Sequence, residues 1–329
     1  MQSGSSNNNN HLIHLPLVDT LEDDPFFPLV INVITKYWGY DIHQSTNKLG
    51  NDTNKLQSKI SSSLLIEGLE RSKSHGFLYY VYKGTLKDLK KRIDQGIPII
   101  VIIPGIQDMS QHALIISGYE EKEKRIITYI PQPDSYGAIP ETQFLSEWNQ
   151  EDNLTILIIP KEMSSIVKND ELKNNESNKL CLEAERYFQN NEYETAMRIL
   201  EKENNSNNEN SYFWYLFGLA ANKLNDTKKF LVGMHNAIKY NPNYYSALRS
   251  LANFYLNTQD YAKANELYSR AIEINPNRYG SIFKNRAIAR INLNYKKEAV
   301  EDLQTYILKV PTASDRSKIE ELITELNSN

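Results

Sequence analysis

Apolar residues follow two different patterns along the chain, and the change divides it into two halves. Between residues 14 and 160, short apolar runs alternate with amphipathic stretches. The runs at 97–103, Arg125–Ile130 and 154–159 predict strands, and the charged tract 120–124 predicts a hairpin loop. Because these strands cluster in the second half of the region, the pattern predicts an antiparallel sheet packed against N-terminal helices.

Helices are predicted where apolar residues recur at helical spacing between start and stop signals. Asp24 caps a helix whose first position is Pro25, and Gly39 ends it. A second helix fits residues 61–73, and a short one fits 86–93. The other predicted elements are strands over 77–82 and 113–116 and a short helix over 144–148.

A repeat begins beyond residue 176, where strand-like runs disappear and helix formers dominate. Pro242, Pro276 and Pro311 each follow an apolar helical stretch, and they stand 34 and 35 residues apart. Small residues, which let paired helices approach closely, stand at Gly218, Ala237, Ala252, Ala271 and Ala287. A fixed period of this length is typical of a helical solenoid.

The 34-residue period, with Trp214, Gly218, Ala237 and Pro242, resembles the tetratricopeptide repeat. The resemblance covers about 177–311, as four units that start near residues 177, 211, 245 and 280. Residues 315–326 would form a capping helix, which covers apolar surface that the last unit leaves exposed. The resemblance implies an all-α solenoid whose concave face binds a protein or peptide.

Three polar residues are predicted to lie on that concave face. Arg249 and Asn253 are four residues apart and share one side of a helix, and Asn285 lies on the corresponding helix of the next unit. Some tetratricopeptide domains hold the C-terminal carboxylate of a peptide in a similar arrangement. A guanidinium and two amides suit a carboxylate. The alternative interpretation of these residues is a solvated polar surface.

The N-terminal region resembles the papain-like, bacteriocin-processing cysteine peptidases. The matching segments are 26–40 (FFPLVINVITKYWGY), 96–99 (GIPI) and 112–119 (HALIISGY). In the family, the first begins with the nucleophilic Cys, the second is a strand and the third begins with the catalytic His. A further strand, which ends in Asp-Pro in the family, ends here in Ile130-Pro131. The resemblance implies a papain-like α+β fold.

The residues that the family chemistry needs are largely replaced. By alignment Phe26 replaces the Cys, Leu21 the oxyanion-stabilising Gln, and Ile130 the Asp that orients the His. Only His112 remains, and the single Cys of the chain, Cys181, lies in the repeat region. A peptidase of this type needs a thiolate and a base beside it. The sequence therefore predicts a pseudoenzyme without catalytic residues.

These patterns predict two domains of different class. A disordered tail is expected over 1–13, a papain-like domain over 14–160, a linker over 161–176 and the helical repeat domain, with about four repeats and the capping helix, over 177–329. The predicted fold class is thus α+β followed by an all-α solenoid.

Composition narrows the classes of function further. The net charge is −4, which argues against a broad basic face for nucleic acid. No apolar run reaches the length of a membrane span, and the six His show no spacing of metal ligands. We predict no cofactor, no metal and a protein or peptide partner.

The compartment is left open between two alternatives. The first ten residues, MQSGSSNNNN, are polar and low in complexity. A bacterial lipoprotein shows such a tether after its lipidated Cys. If Met1 stands in place of that Cys, the protein is anchored outside the cytoplasm, and otherwise the expectation is cytoplasmic.

Three functions are consistent with the sequence. The first is a non-catalytic scaffold, in which a degenerate peptidase-like domain and a repeat domain bind a partner. The second is a structural subunit of a larger assembly, such as one in the cell envelope. The third is an enzyme of altered chemistry that uses His112 as its base, with Asp134 beside it.

Overall fold

The structure of the chain is a computed structural model, and it divides into two compact units. It describes residues 10–18, 29–41, 61–105, 111–131, 135–203 and 208–328. The first unit comprises Met1–Ile103 and Gln111–Asn208, and the second comprises Pro104–Ser110 and Glu209–Asn329. The first unit thus contains the predicted α/β region and continues into the predicted repeats.

The α/β region has seven strands and four α-helices within the described residues. In chain order these are β1 (Asn10–Leu12), α1 (Leu29–Tyr37), α2 (Ser61–Ser74), β2 (Phe77–Lys83), α3 (Leu86–Asp94), β3 (Ile99–Pro104), β4 (Gln111–Glu120), β5 (Arg125–Ile130), β6 (Ser135–Pro140), α4 (Glu141–Asn149) and β7 (Leu154–Pro160). Each predicted helix and strand has a counterpart, but the predicted start of the first helix at Asp24 and Pro25 lies outside the described residues. The strands β1 and β6 were not predicted.

The strands form one sheet in the order β2-β7-β3-β4-β5-β6, and β1 pairs with β4 outside this path. Every pairing whose register is described is antiparallel, as the sequence predicted. All residues of β3 are buried, which explains its unbroken apolar run. Phe144 and Trp148 of α4 are fully buried in the same core as Val101, Ile116 and Leu157.

The N-terminal strand is ordered, although the sequence placed residues 10–13 in a disordered tail. Asn10–Leu12 form β1, and the buried Ile13 donates its N–H to Ser117 O over 2.7 Å. A Cβ on Gly118 would meet His11 O at 2.3 Å, so only a glycine admits β1 here. Residues 1–9 lie outside the described part of the chain.

The segment 161–176, expected to be a linker, packs on the core of the first unit. It contains a 3-10 helix over Lys161–Val167, where Val167 is buried because it adds to an existing apolar cluster. Two helices follow in the same unit, α5 (Asn175–Gln189) and α6 (Tyr193–Glu203). Asn175 Oδ1 accepts the N–H of Val81 in β2 over 3.0 Å, which fixes the start of α5 to the sheet. The predicted domain limits themselves stay predictions.

The second unit consists mainly of antiparallel helix pairs. Its helices are α7 (Ser211–Lys223), α8 (Thr227–Tyr240), α9 (Tyr245–Asn257), α10 (Tyr261–Ile274), α11 (Ser281–Asn292), α12 (Lys296–Lys309) and α13 (Arg316–Ser328). The predicted solenoid is confirmed, and α13 lies where the capping helix was expected.

The turn between the two helices of each pair repeats with the period of the sequence. Asn191, Asn225, Gln259 and Asn294 have φ of 61°, 59°, 64° and 63°, and they stand 34, 34 and 35 residues apart. Asn tolerates this left-handed conformation better than most residues other than Gly. These left-handed turns have the same spacing as the sequence repeat, so the repeat runs from α5 to α12.

Candidate functional site

His112, the residue that the alignment matches to the catalytic His of the family, lies on β4. It lies two residues before Leu114, so both side chains project from the same face of the sheet. Leu114 belongs to the core, and His112 is half-buried near the first residue of the strand. Burial lowers the pKa of His112, because desolvation disfavours the charged imidazolium.

Ile130 is a neighbour of His112 on the adjacent strand. The pairing of Ile115 with Tyr129 puts Leu114 opposite Ile130 at the next step of the ladder, on the face that carries His112. Ile130 packs against the apolar core. That Ile130 replaces an orienting carboxylate stays a prediction.

The end of α1 is fixed to the strands by two side chains of the Tyr-Trp-Gly sequence. Tyr37 Oη donates to Gly96 O over 2.8 Å, and Trp38 Nε1 donates to Ile158 O over 3.1 Å. Gly39 has a φ of 87°, which ends the helix. The described part of the first segment that carried the resemblance, 29–40, thus contacts the second, 96–99, through Tyr37 and Gly96.

Three predicted positions of this site lie outside the described residues. These are Phe26, Leu21 and Asp134. Their substitution for the catalytic Cys and Gln, and the place of Asp134 beside His112, stay predictions.

The only thiol of the chain is in no position to act as a nucleophile. Cys181 lies on α5 and is fully buried. Burial raises the pKa of its thiol well above the ordinary value, and the carboxylates of Glu185, Glu203 and Asp152 raise it further. Reactive cysteines need the opposite, an exposed and electropositive environment.

The second unit brings two of the three predicted groove residues into direct contact. Asn285 Nδ2 on α11 donates to Asn253 Oδ1 on α9 over 3.2 Å. Tyr268 Oη on α10 donates to the same oxygen over 2.6 Å. Arg249 lies one helical turn before Asn253, close enough for its charge to lower the pKa of Tyr268 against the larger rise that burial causes.

Arg249 is held by an aromatic ring and not by a carboxylate. Its guanidinium carbon lies 4.3 Å from the ring centre of Tyr279, which precedes α11. Its Nε is shielded from solvent and has no hydrogen-bond partner within the described ranges. No hydrogen bond or ion pair within the described ranges engages the two Nη groups of Arg249, and these are the donors that an acceptor from outside the fold could reach.

Arg249, Asn253 and Asn285 together with Tyr268 and Tyr279 are called the polar groove below. The sequence indicated the first three. It missed the tyrosines, because Tyr268 fits a packing position of the repeat and Tyr279 precedes a helix. The signal that was available is Tyr245, which stands 34 residues before Tyr279. Those two rings stack at 5.9 Å.

Neither a metal site nor a membrane-spanning helix is found among the described residues. Within these residues, no group of three His, Cys, Asp or Glu could hold a metal ion. None of their helices combines the length and the apolar character needed to cross a bilayer.

Both regions match known families. Residues 30–156 match a Peptidase C39 like family, and residues 251–324 match the tetratricopeptide repeat. The chain joins a C39-peptidase-like domain to tetratricopeptide repeats. The presence of these repeats indicates that this C39-like, repeat-containing protein has protein partners and acts as a protein-interaction scaffold.

Solved structures that are similar to part of the chain are also found. A MamA structure labelled AMB-1 is 16% identical, with 46% of this chain and 81% of that chain covered and a TM-score of 0.42. YrrB, described as a TPR protein with an unusual peptide-binding site, is 19% identical, with 46% and 73% covered and a TM-score of 0.37. No curated protein matches the chain.

Proposed function

We propose that the C39-like, repeat-containing protein is a non-catalytic scaffold that binds a peptide through the polar groove. The observation that carries the proposal is the convergence of donors there. Asn253 and Asn285 are hydrogen-bonded to each other, and Arg249 stands one turn away with Nη groups that no hydrogen bond within the described ranges engages. Two amides and a guanidinium form a set of donors that a terminal carboxylate satisfies.

The peptidase-like domain would contribute shape and contacts without turnover. No residue between 1 and 180 is a Cys, and Cys181 is buried with a raised pKa. The sequence alignment puts Phe26 at the nucleophile position, and a phenyl ring cannot attack a carbonyl. Ile130 beside His112 is consistent with the same loss, because an apolar side chain cannot orient an imidazole.

Retention of peptides by the immobilised full chain tests the groove. The probes are a pool of random-sequence peptides with a free C-terminal carboxylate and the same pool amidated. We expect Arg249→Ala to reduce retention of the first pool about tenfold to a hundredfold, because charge-assisted hydrogen bonds are lost. Mass spectrometry of the eluted peptides gives the ratio.

The matched control is Arg270→Ala. This change removes the same charge from α10 and leaves the polar groove intact. Equal loss of retention in both variants would indicate a general effect of charge. Equal retention of carboxylate and amide pools by the unchanged chain would overturn the carboxylate assignment.

A further inference from the structure

The two outer edges of the sheet in the peptidase-like region differ in what covers them. At β2, the segment before α5 closes the edge. Val81 donates its N–H to Asn175 Oδ1 over 3.0 Å, and Lys83 donates its N–H to Lys173 O over 2.9 Å. At the opposite edge, β6 pairs only with β5 among the strands that the structure describes. An unpaired edge is a template for a further strand, and most proteins block it.

The ladder with β5 determines which backbone groups of β6 point outward. Glu141 donates its N–H to Lys124 O over 2.8 Å at the end of this ladder. The preceding residue, Pro140, and its partner on β5 therefore form a non-hydrogen-bonded pair. Because the two kinds of pair alternate, the N–H and C=O groups of Tyr136 and Ala138 also point away from β5. Pro140 thus stands where β5 needs no N–H from β6.

The strand β6 lacks two features that commonly keep an exposed edge from pairing, namely charged side chains and a bulge. All of its residues except Ile139 are exposed. Two copies of this edge would meet without repulsion between like charges. The strand is also already held extended by β5. A second copy therefore pairs with it at little cost in ordering entropy, whereas a free peptide would have to be ordered first.

We propose that β6 pairs in antiparallel orientation with β6 of a second copy of the chain, about a twofold axis at Gly137. In this register Tyr136 lies opposite Ala138 of the second copy, and the two residues exchange both backbone hydrogen bonds. The twofold axis repeats the pair, so the outward N–H groups of Tyr136 and Ala138 all gain a carbonyl acceptor. If Ala138 faced itself instead, Pro140 would lie opposite Tyr136 and leave the carbonyl of Tyr136 without a donor.

This contact is expected to be weak and concentration-dependent. The strand has 6 residues, far fewer than the roughly 20–30 residues a side of a stable interface. Sedimentation velocity of the full chain between about 1 μM and about 1 mM measures the association. We expect the sedimentation coefficient to rise from that of a monomer toward that of a dimer. A chain that stays monomeric over this range would overturn the proposal.

Ala138→Pro tests the outward edge without touching the ladder to β5, because the N–H that it removes points away from β5. We expect the dissociation constant of the dimer to rise at least about tenfold, since two hydrogen bonds per dimer are lost. The matched control is Ala138→Ser, which keeps the N–H and should associate as the unchanged chain does. If Ala138→Pro associates equally well, the dimer uses another surface and the proposal is overturned.

Disulfide cross-linking tests the register and does not depend on the folding of the proline variant. A Tyr136→Cys chain is mixed with an Ala138→Cys chain under mild oxidation. Opposed Cα atoms of a hydrogen-bonded pair lie about 5.5 Å apart, which a disulfide spans. Cys181 is fully buried and is the same in both chains. We expect covalent dimers in the mixture and not in either variant alone. A mixture that gives none, or either variant cross-linking equally well alone, would overturn the proposal.

Discussion

Replacing Asp302 by Asn is expected to lower the free energy of unfolding of the helical repeat by about 3 kcal/mol. The carboxylate of Asp302 is 4% exposed and accepts hydrogen bonds from two arginines of α11. Arg286 approaches it within 2.7 Å and Arg290 within 2.8 Å. Both guanidinium groups are themselves mostly buried, so each would be left without its counter-charge.

The hydrogen bonds of the two arginines reach a third helix, so the loss of stability is not confined to α11 and α12. Arg286 Nη1 donates to Ser269 Oγ on α10 over 3.0 Å, and Arg290 Nε donates to Asn265 Oδ1 over 3.1 Å. Three helices therefore depend on one carboxylate. Glu301→Gln is the matched control, because it removes the same charge from an exposed neighbour on α12. Urea unfolding followed by circular dichroism measures both variants. Equal stabilities would contradict the role assigned to Asp302.

Replacing Gly233 by Ala is expected to destabilise the α7–α8 pair by about 2 kcal/mol, although alanine favours a helix. A Cβ on Gly233 would lie 2.6 Å from Gly218 Cα and 2.7 Å from Trp214 O. These are backbone atoms, so the helices must separate to admit the methyl group. Thermal unfolding followed by Trp fluorescence reports the change.

Gly218→Ala gives the internal comparison. The nearest atom to a Cβ there is Met234 Cε at 2.7 Å, the end of a flexible side chain, and the backbone atoms stand 3.2 Å away or more. We expect a clearly smaller loss than for Gly233→Ala. The reverse order would show that the close approach of the two helices is not limited by the backbone.

The fold was predictable where the physical signal is local. Apolar runs such as 97–103 predicted strands, here the strand Ile99–Pro104, and the 34-residue spacing of Pro242 and Pro276 predicted the repeat. The strand β6 was missed because almost all its residues are exposed and show no alternation. The strand β1 was missed because it depends on a distant glycine, Gly118, which no local pattern connects to it.

The site was predictable only in part, for the same reason. Helical spacing placed Arg249 and Asn253 on one face, and the repeat placed Asn285 near them. The hydrogen bond from Tyr268 joins residues 15 apart on two helices, so neither period nor composition indicates it. Gly233 likewise gave no signal, because its role depends on the backbone of the opposite helix.

Binding without cutting is the central claim, and one measurement tests it directly. The full chain is incubated with the carboxylate-ended peptide pool, and all peptides, retained and free, are then identified by mass spectrometry. The account predicts a selectively retained set that is recovered at full length. Shortened fragments that accumulate with time and disappear in His112→Ala would contradict it, because they would show that His112 still serves a catalytic site.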